Sequence, residues 1–245
     1  MDNFRSLRLR KPVNLLLVSL VLCSYPVSAD NQARQVLRLS TMESISVSKV
    51  YRNIVTEAYR MINTAVQIVE FPAKRSLVEA NSGQSIDGEL FRIDGIQKQY
   101  TNLLRVNEPL SIDQFYVFSI KPIKIEGPES LKGYRLAVKQ GLKYQQQISK
   151  DLKNKISVSS NQQIINLMRA NRIDAFLSSD REAMMNKLGE KIPGLIRNAP
   201  PIHRSAVYHY LNKKHASLAP KLAAAIRELR HSGKIQLILD GTTSD

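Results

Sequence analysis

The residues best placed to do chemistry surround Gly141. Leu136-Ala137-Val138 is a short apolar run, as in a strand buried on both faces. Gly141 then permits a tight turn, and Tyr144 to Leu152 can open a helix. A strand, a glycine turn and a helix N-terminus leave backbone N–H groups facing outward at the carboxyl edge of a sheet. Anionic or polar small molecules commonly bind at such an edge. Lys139 and Tyr144 flank the turn and add a cation and an aromatic hydroxyl. The same pattern also serves merely to join a strand to a helix, so its meaning rests on what surrounds it.

Four further polar residues fall at strand ends or helix starts in the first half of the chain: Glu43, Arg75, Glu89 and Arg92. Singly, each is more readily a surface charge or an internal ion pair. Together, at the carboxyl edges of an open α/β sheet, they converge on one crevice and describe a mixed-charge cleft. In the second half, Ser178 and Ser179 give a strand a hydroxyl-rich exit, and a serine hydroxyl both donates and accepts. Catalytic chemistry finds no comparable footing. His203, His209 and His215 are six apart, which suits neither one helix face nor a compact metal turn, and all four histidines read as structural. No HExxH, GxSxG or Walker loop occurs, and no metal or cofactor is expected. The absence of Trp argues against a sugar-stacking cleft.

The elements that must hold these residues alternate. Val36 to Ser40 reads as a strand with Thr41 to Ser44 as its exit loop. Val47, Val50, Tyr51, Ile54, Val55, Ala58, Met61 and Ile62 follow at helical spacing. Ala65 to Glu70 is a second strand, Lys74 to Asn81 a second helix stopped near Gly83, and Asp87 to Arg92 a third strand. This order predicts a mostly parallel sheet with helices on its faces. Asp113 to Lys121 is strand-like. After Gly141, the sequence predicts a strand at Ile156–Ser159 and a helix over Gln162–Asn171 capped by Asn161. A strand at Arg172–Ser179 and a turn-rich connection from Pro193 to Pro201 come next. A strand at Ser205–Leu211 and a long helix from Leu218, ended at Gly233, close the chain.

The first residues read as a secretory signal. Arg5, Arg8, Arg10 and Lys11 precede Leu15 to Leu22, and Val27-Ser28-Ala29 supplies small residues at a cleavage site. The apolar run is too short to span a membrane comfortably, and Leu22 is bulky where a lipoprotein site around Cys23 needs a small residue. Cleavage after Ala29 leaves residues 30–245 without a cysteine, and hence without a disulfide, a thiolate or a cysteine metal site. Export of such a chain suits a bacterial periplasm. The formal charge of +15 becomes +12 once four basic residues and Asp2 leave. The basic residues are dispersed, with no run of five and no aromatic-interleaved patch, so solvated faces account for them and nucleic acid is not an expected partner.

Several of these stretches carry a resemblance. Leu131-Lys132-Gly133 through Val138, Gly141 and Tyr144 resembles the opening of the second lobe in family 3 extracellular solute-binding proteins, the type II periplasmic binding proteins. Pro72 to Leu77, Gly83 and Asp87-Gly88 look like that family's first-lobe pattern, as does Tyr100 to Leu110. Arg172-Ile173-Asp174-Ala175-Phe176 and the closing Leu211 to His215, Leu218 and Gly233-Lys234-Ile235 also fit. The match spans nearly the whole chain after the signal, through short and degenerate motifs. It implies an α/β fold of two lobes, each a mostly parallel sheet flanked by helices, with 30–116 plus 212–245 as lobe 1 and 117–211 as lobe 2. It also implies a small polar or charged solute, amino-acid-like or a carboxylate, captured between the lobes by Glu43, Arg75 and Arg92 with Lys139, Gly141, Tyr144 and Ser178. Tyr144 either packs on the ligand or caps the hinge. A membrane permease or sensor receptor is the implied partner; a monomer is the default expectation, and without a catalytic constellation in the sequence no enzymatic activity is expected. One departure stands out. Amino-acid-binding members carry an arginine where this chain has Ile96-Gln97-Lys98-Gln99, which leaves Lys98, Arg92 or Arg75 to take its place.

Overall fold

A computed structural model of the chain describes Met1, residues 36–43 and residues 45–241. Apart from Met1, the 1–29 segment read as a signal peptide lies outside the described residues. The first half runs β1 (Leu37–Met42), α1 (Ser48–Met61), β2 (Val66–Phe71), α2 (Ala73–Ser82), β3 (Gly88–Ile93), β4 (Leu103–Arg105) and β5 (Ser111–Ser119). The second runs β6 (Leu136–Lys139), α3 (Lys143–Ile148), β7 (Lys155–Val158), α4 (Asn161–Arg169), β8 (Ala175–Ser179), α5 (Asp180–Met185) and α6 (Leu188–Lys191). The long β9 (Ile196–Asn212), α7 (Ala219–His231) and α8 (Lys234–Leu239) complete it.

The strands form one sheet in the order β2-β1-β3-β9-β5-β8-β6-β7, with β4 paired to β9. Two three-stranded parallel blocks stand at its ends: β2, β1 and β3 in the first lobe and β8, β6 and β7 in the second. Between them β5 and β9 run antiparallel to each other and cross from lobe to lobe. β9 starts beside Val117 to Ser119 and ends beside β3 and β4. Two α/β lobes joined through a pair of strands is the architecture the sequence predicts.

Each lobe packs helices on both sheet faces. In lobe 1, Tyr51, Ile54, Val55 and Ala58 of α1 are fully buried, at the 3.6-residue spacing read from the sequence. They meet Leu39, Leu90 and the C-terminal helix α7 through Leu222 and Ile226, which ties the chain's end back onto its start. Leu77, Ile86 and Tyr210 cover the other face. In lobe 2 the alternation of a strand shows directly: Leu136 and Val138 pack in one cluster and Ala137 in the opposite one. Asp174 takes the structural role its position suggests, holding the Arg135 side chain at 2.6 Å and the Arg135 N–H at 2.7 Å.

Three sequence expectations need correction. The cap of α4 is Ser160, whose hydroxyl accepts from Gln163 N–H at 3.2 Å, and Asn161 is the first helical residue. The expected turn at Pro193–Pro201 is largely strand, because β9 begins at Ile196. Opposite it the register jumps, Phe115 pairing His203 and Val117 pairing Asn198, so Pro200 and Pro201 sit in a bulge. A bulge tolerates residues that lack the N–H a ladder needs. Finally, the helix expected over Tyr144–Leu152 is the short α3 alone.

His209, fully buried on β9, binds Tyr59 Oη through Nε2 at 2.9 Å and the Leu90 carbonyl through Nδ1 at 3.1 Å. Burial lowers its pKa from 6.5 to about 4. Between those values the unfolded chain holds the extra proton, so folding stability is complete above pH 6.5 and is lost as pH falls through 4. That lowering corresponds to about 3 kcal/mol at the acid end. Thermal unfolding followed from pH 7 to pH 4 is expected to show this decline, and His209→Gln to flatten it. An unchanged acid slope in that variant removes His209 as the cause.

Candidate functional site

Between the lobes lies a cavity of about 80 Å³. Met42, Phe91 and Arg92 approach it from lobe 1, and Lys139, Tyr144, Ser178 and Glu182 from lobe 2. Arg92, Lys139 and Ser178 stand at or near strand carboxyl ends, which is why the open-sheet rule finds them.

Arg92 is buried and fully engaged. Its Nε donates to Glu89 Oε1 at 2.7 Å and its Nη2 to the Ala73 carbonyl at 2.8 Å. Glu89 is itself fully buried, and its other oxygen accepts from Ser40 Oγ at 2.7 Å and Ser76 Oγ at 2.5 Å. This is a closed buried network in lobe 1, with its donors satisfied by protein.

Lys139 is the second buried cation. Its Nζ lies 3.5 Å from Glu182 Oε1, and burial lowers its pKa, partly opposed by that carboxylate. Glu182 Oε1 also accepts from Asn161 Nδ2 at 2.8 Å. Its other oxygen reaches across to lobe 1, accepting the Val47 N–H at 3.1 Å where α1 begins with no side-chain cap of its own in lobe 1. The carboxylate is thereby a fixed anion at a helix N-terminus. Further bridges are Ser46 Oγ to Asn186 Oδ1 at 3.2 Å and Lys143 Nζ to Gln99 Oε1 at 3.0 Å.

The remaining expected residues differ in surroundings. Tyr144 is buried, its ring 3.9 Å from that of Phe115, and its hydroxyl accepts from Gln145 Nε2 at 2.9 Å; burial raises its pKa. The ring packs in the lobe 2 core and also lines the cavity. Ser178 is buried and lines the cavity, and its hydroxyl makes no hydrogen bond among the described residues. Gly141 has φ +78°, and a Cβ there would stand 2.5 Å from Ala73 Cβ and 3.1 Å from Lys74 N. Only glycine lets lobe 2 approach the start of α2 this closely. Glu43 is exposed in the loop after β1. Arg75 is exposed on α2, pairs with Glu79 at 3.3 Å and covers Phe71. Glu43, Arg75 and Gly141 do not line the cavity, so the structure brings four of the seven together there.

Glu182 escaped the sequence reading, although a signal existed. Ser179-Asp180-Arg181-Glu182 has capping-box spacing. Ser179 Oγ does accept Glu182 N–H at 3.2 Å, but the Glu182 carboxylate turns away from its own helix to lobe 1. Among the described residues no group of three or more His, Cys, Asp or Glu is placed to hold a metal.

Fold and cleft together define the class: the chain has the type II, two-lobe periplasmic-binding-protein fold. A solved histidine kinase sensor domain with similarity to periplasmic binding proteins matches at TM-score 0.72 and 13% identity, over 86% of this chain and 97% of that one. A mutant of ArgBP from T. maritima matches at 0.71 and 15%, over 85% and 95%. An amino acid ABC transporter substrate-binding protein from Streptococcus pneumoniae, bound to L-arginine, matches at 0.69 and 13%, over 85% and 94%. In sequence, an uncharacterized protein of Shewanella oneidensis is 29% identical over 173 residues, 66% of this chain and 64% of that relative. The chain thus spans about 64% of that relative's length. No family model matches.

Proposed function

We propose that this chain is an exported, monomeric, non-enzymatic solute-binding protein of the periplasm. It holds a small polar or charged molecule, amino-acid-like or a carboxylate, between its lobes for delivery to a membrane permease. The observation that carries this reading is the inter-lobe cavity, lined by Arg92, Lys139, Tyr144 and Ser178, of which Ser178 has a hydroxyl with no hydrogen-bond partner among the described residues. Solved proteins of the same fold with amino-acid ligands support it. About 80 Å³ admits only a few water molecules. A bound solute therefore enters through parted lobes, and closure follows because ligand contacts from both sides favour the closed state.

One observation favours a second reading, ligand sensing or interaction with a membrane receptor. Both buried cations of the cleft already have carboxylate partners, and a solved sensor domain shares the fold. Among the described residues the 96–99 segment offers no arginine for a bidentate grip.

A thermal-shift screen of amino acids, polyamines, carboxylates, phosphates and sugars tests the proposal. A solute at about 100 times its dissociation constant adds about 2.7 kcal/mol, or roughly 5–10 °C in a domain of this size. The expected hit weakens in Ser178→Ala, which leaves both buried charge pairs intact. Shifts below 2 °C across every class would sink the solute-carrier reading and turn attention to membrane partners.

A further inference from the structure

Beside the cavity, a second and larger depression of about 880 Å³ straddles the two lobes. Lys74, Gln99 and Tyr100 line it from lobe 1, and Lys143, Lys150 and Lys155 from lobe 2. Five of its fourteen lining residues are lysine and none is Asp or Glu. The whole chain has 36 Lys and Arg against 21 Asp and Glu in 245 residues, which would place about two basic residues and one acidic residue there. Lys139, the fifth lysine, is committed to Glu182. The other four reach solvent at least in part.

Two of those ammonium groups are held in place without neutralisation. Lys143 Nζ donates to Gln99 Oε1 at 3.0 Å and lies 5.8 Å from the Tyr100 ring centre, so it spans the lobes. Lys155 Nζ donates to the carbonyls of Ser149 at 3.0 Å and Lys150 at 3.2 Å. Lys150 has only Asp151 at 3.8 Å, both largely exposed, a pairing of little strength. The Lys74 ammonium makes no hydrogen bond or ion pair among the described residues, and Lys74 lies in the first turn of α2, which no side chain caps. A concave wall of one charge sign focuses the local potential. Gathered like charges repel one another, and a multiply charged anion relieves that repulsion at several points at once.

We propose that this groove binds a small multiply charged anion, of oligophosphate or polycarboxylate type, bridging the lobes through Lys74 and Lys143. Lysines act as separate point charges, suited to several anionic groups on one molecule, where a single planar carboxylate would call for arginine. The volume falls within the range of small-molecule sites, about 300–1,000 Å³. The groove shares Lys139 and Lys143 with the cavity proposed for the solute, whereas Lys74 lines the groove alone and Ser178 the cavity alone, so Lys74→Ala and Ser178→Ala tell failure of one assignment from failure of the other.

Isothermal titration of the full chain at low ionic strength tests it, with orthophosphate, pyrophosphate, tripolyphosphate and citrate as probes. Tripolyphosphate or citrate is expected to bind at least about tenfold more tightly than orthophosphate, and the better of the two names phosphate or carboxylate as the preferred group. Lys74→Ala with Lys143→Ala is expected to weaken that binding at least about tenfold, while Lys221→Ala, an exposed lysine on α7, leaves it unchanged. All three positions permit alanine without loss of core packing, and Ser178→Ala is expected to leave the anion affinity unchanged. Absence of binding by every probe overturns the proposal. So does equal loss in the Lys221→Ala control, or binding of heparin alone, which would assign the lysines to an extended polymer.

Discussion

Arg92→Ala is expected to lower the unfolding free energy by about 3–5 kcal/mol, a loss of stability separate from any effect on solute binding. The carboxylate of Glu89 has no route to water in lobe 1. Among the described residues Arg92 is its only charged partner, and Ser40 and Ser76 supply neutral hydrogen bonds. Removing the guanidinium leaves that charge buried and unpaired, and it also removes a hydrogen bond to the Ala73 carbonyl. In a domain of this size the loss amounts to roughly 6–20 °C in melting temperature. Urea unfolding of the wild type, Arg92→Ala and the double variant Glu89→Met with Arg92→Met separates the possibilities. The double variant, with no orphaned charge, is expected to be markedly more stable than the single one. A single variant within 2 °C of wild type would show that Glu89 finds solvent, and Arg92 would then return as a direct solute ligand.

That network also marks where sequence reading reaches its limit. Arg92 was legible as a strand-end cation, because strand ends converge by topology and topology follows from the alternation of apolar periods. Its partner was legible too, three residues away on the same strand. Nothing in the spacing says that Glu89 and Arg92 face each other, since the register of β3 against β9 shifts between them. An even ladder sends residues three apart to opposite faces, and the shift cancels that rule. The same cause hid the start of β9: Pro200 and Pro201 read as a turn, and only pairing with β5 on both sides of the bulge shows a strand. The helices fared better. The apolar stripe of α1 faces one core and needs no distant partner to be recognised, whereas Ser159-Ser160-Asn161 offers three competent caps in a row. Which one serves depends on where β7 ends. Lys139, Tyr144 and Ser178 were found by their places at sheet edges. Glu182 and Asn161 meet in space from segments 21 residues apart, and no local pattern announces such a meeting.

Glu182→Ala is expected to unfasten the lobes while leaving each lobe folded. The carboxylate serves both sides, accepting Val47 N–H from lobe 1 and holding Asn161 and Lys139 in lobe 2. If the lobes stayed together after its loss, Lys139 would remain a buried cation without a counter-charge, a penalty of about 3–5 kcal/mol. Two responses relieve it. The lobes can part and let water reach the ammonium, or Lys139 can lose its proton, which its desolvation already encourages. The first predicts a larger radius of gyration in small-angle scattering with a modest change in melting temperature. The second predicts a pH signature whose sign follows from linkage. Burial holds the folded pKa of Lys139 below 10.5, so the unfolded state binds more protons between those values and stability rises with pH. Without Glu182 that window widens downward, and the variant should recover stability relative to wild type as pH rises from 7 toward 10. Glu182→Gln keeps an acceptor for Val47 and loses the charge, so it should open less while showing the same pH trend. Wild-type dimensions together with a wild-type pH profile in Glu182→Ala would mean that Ser46–Asn186, Lys143–Gln99 and the Gly141 contact with α2 hold the cleft by themselves. Opening alone would make Glu182 the latch a solute must work against or alongside: with the latch gone, fewer molecules are closed in advance, and apparent affinity falls by the fraction lost.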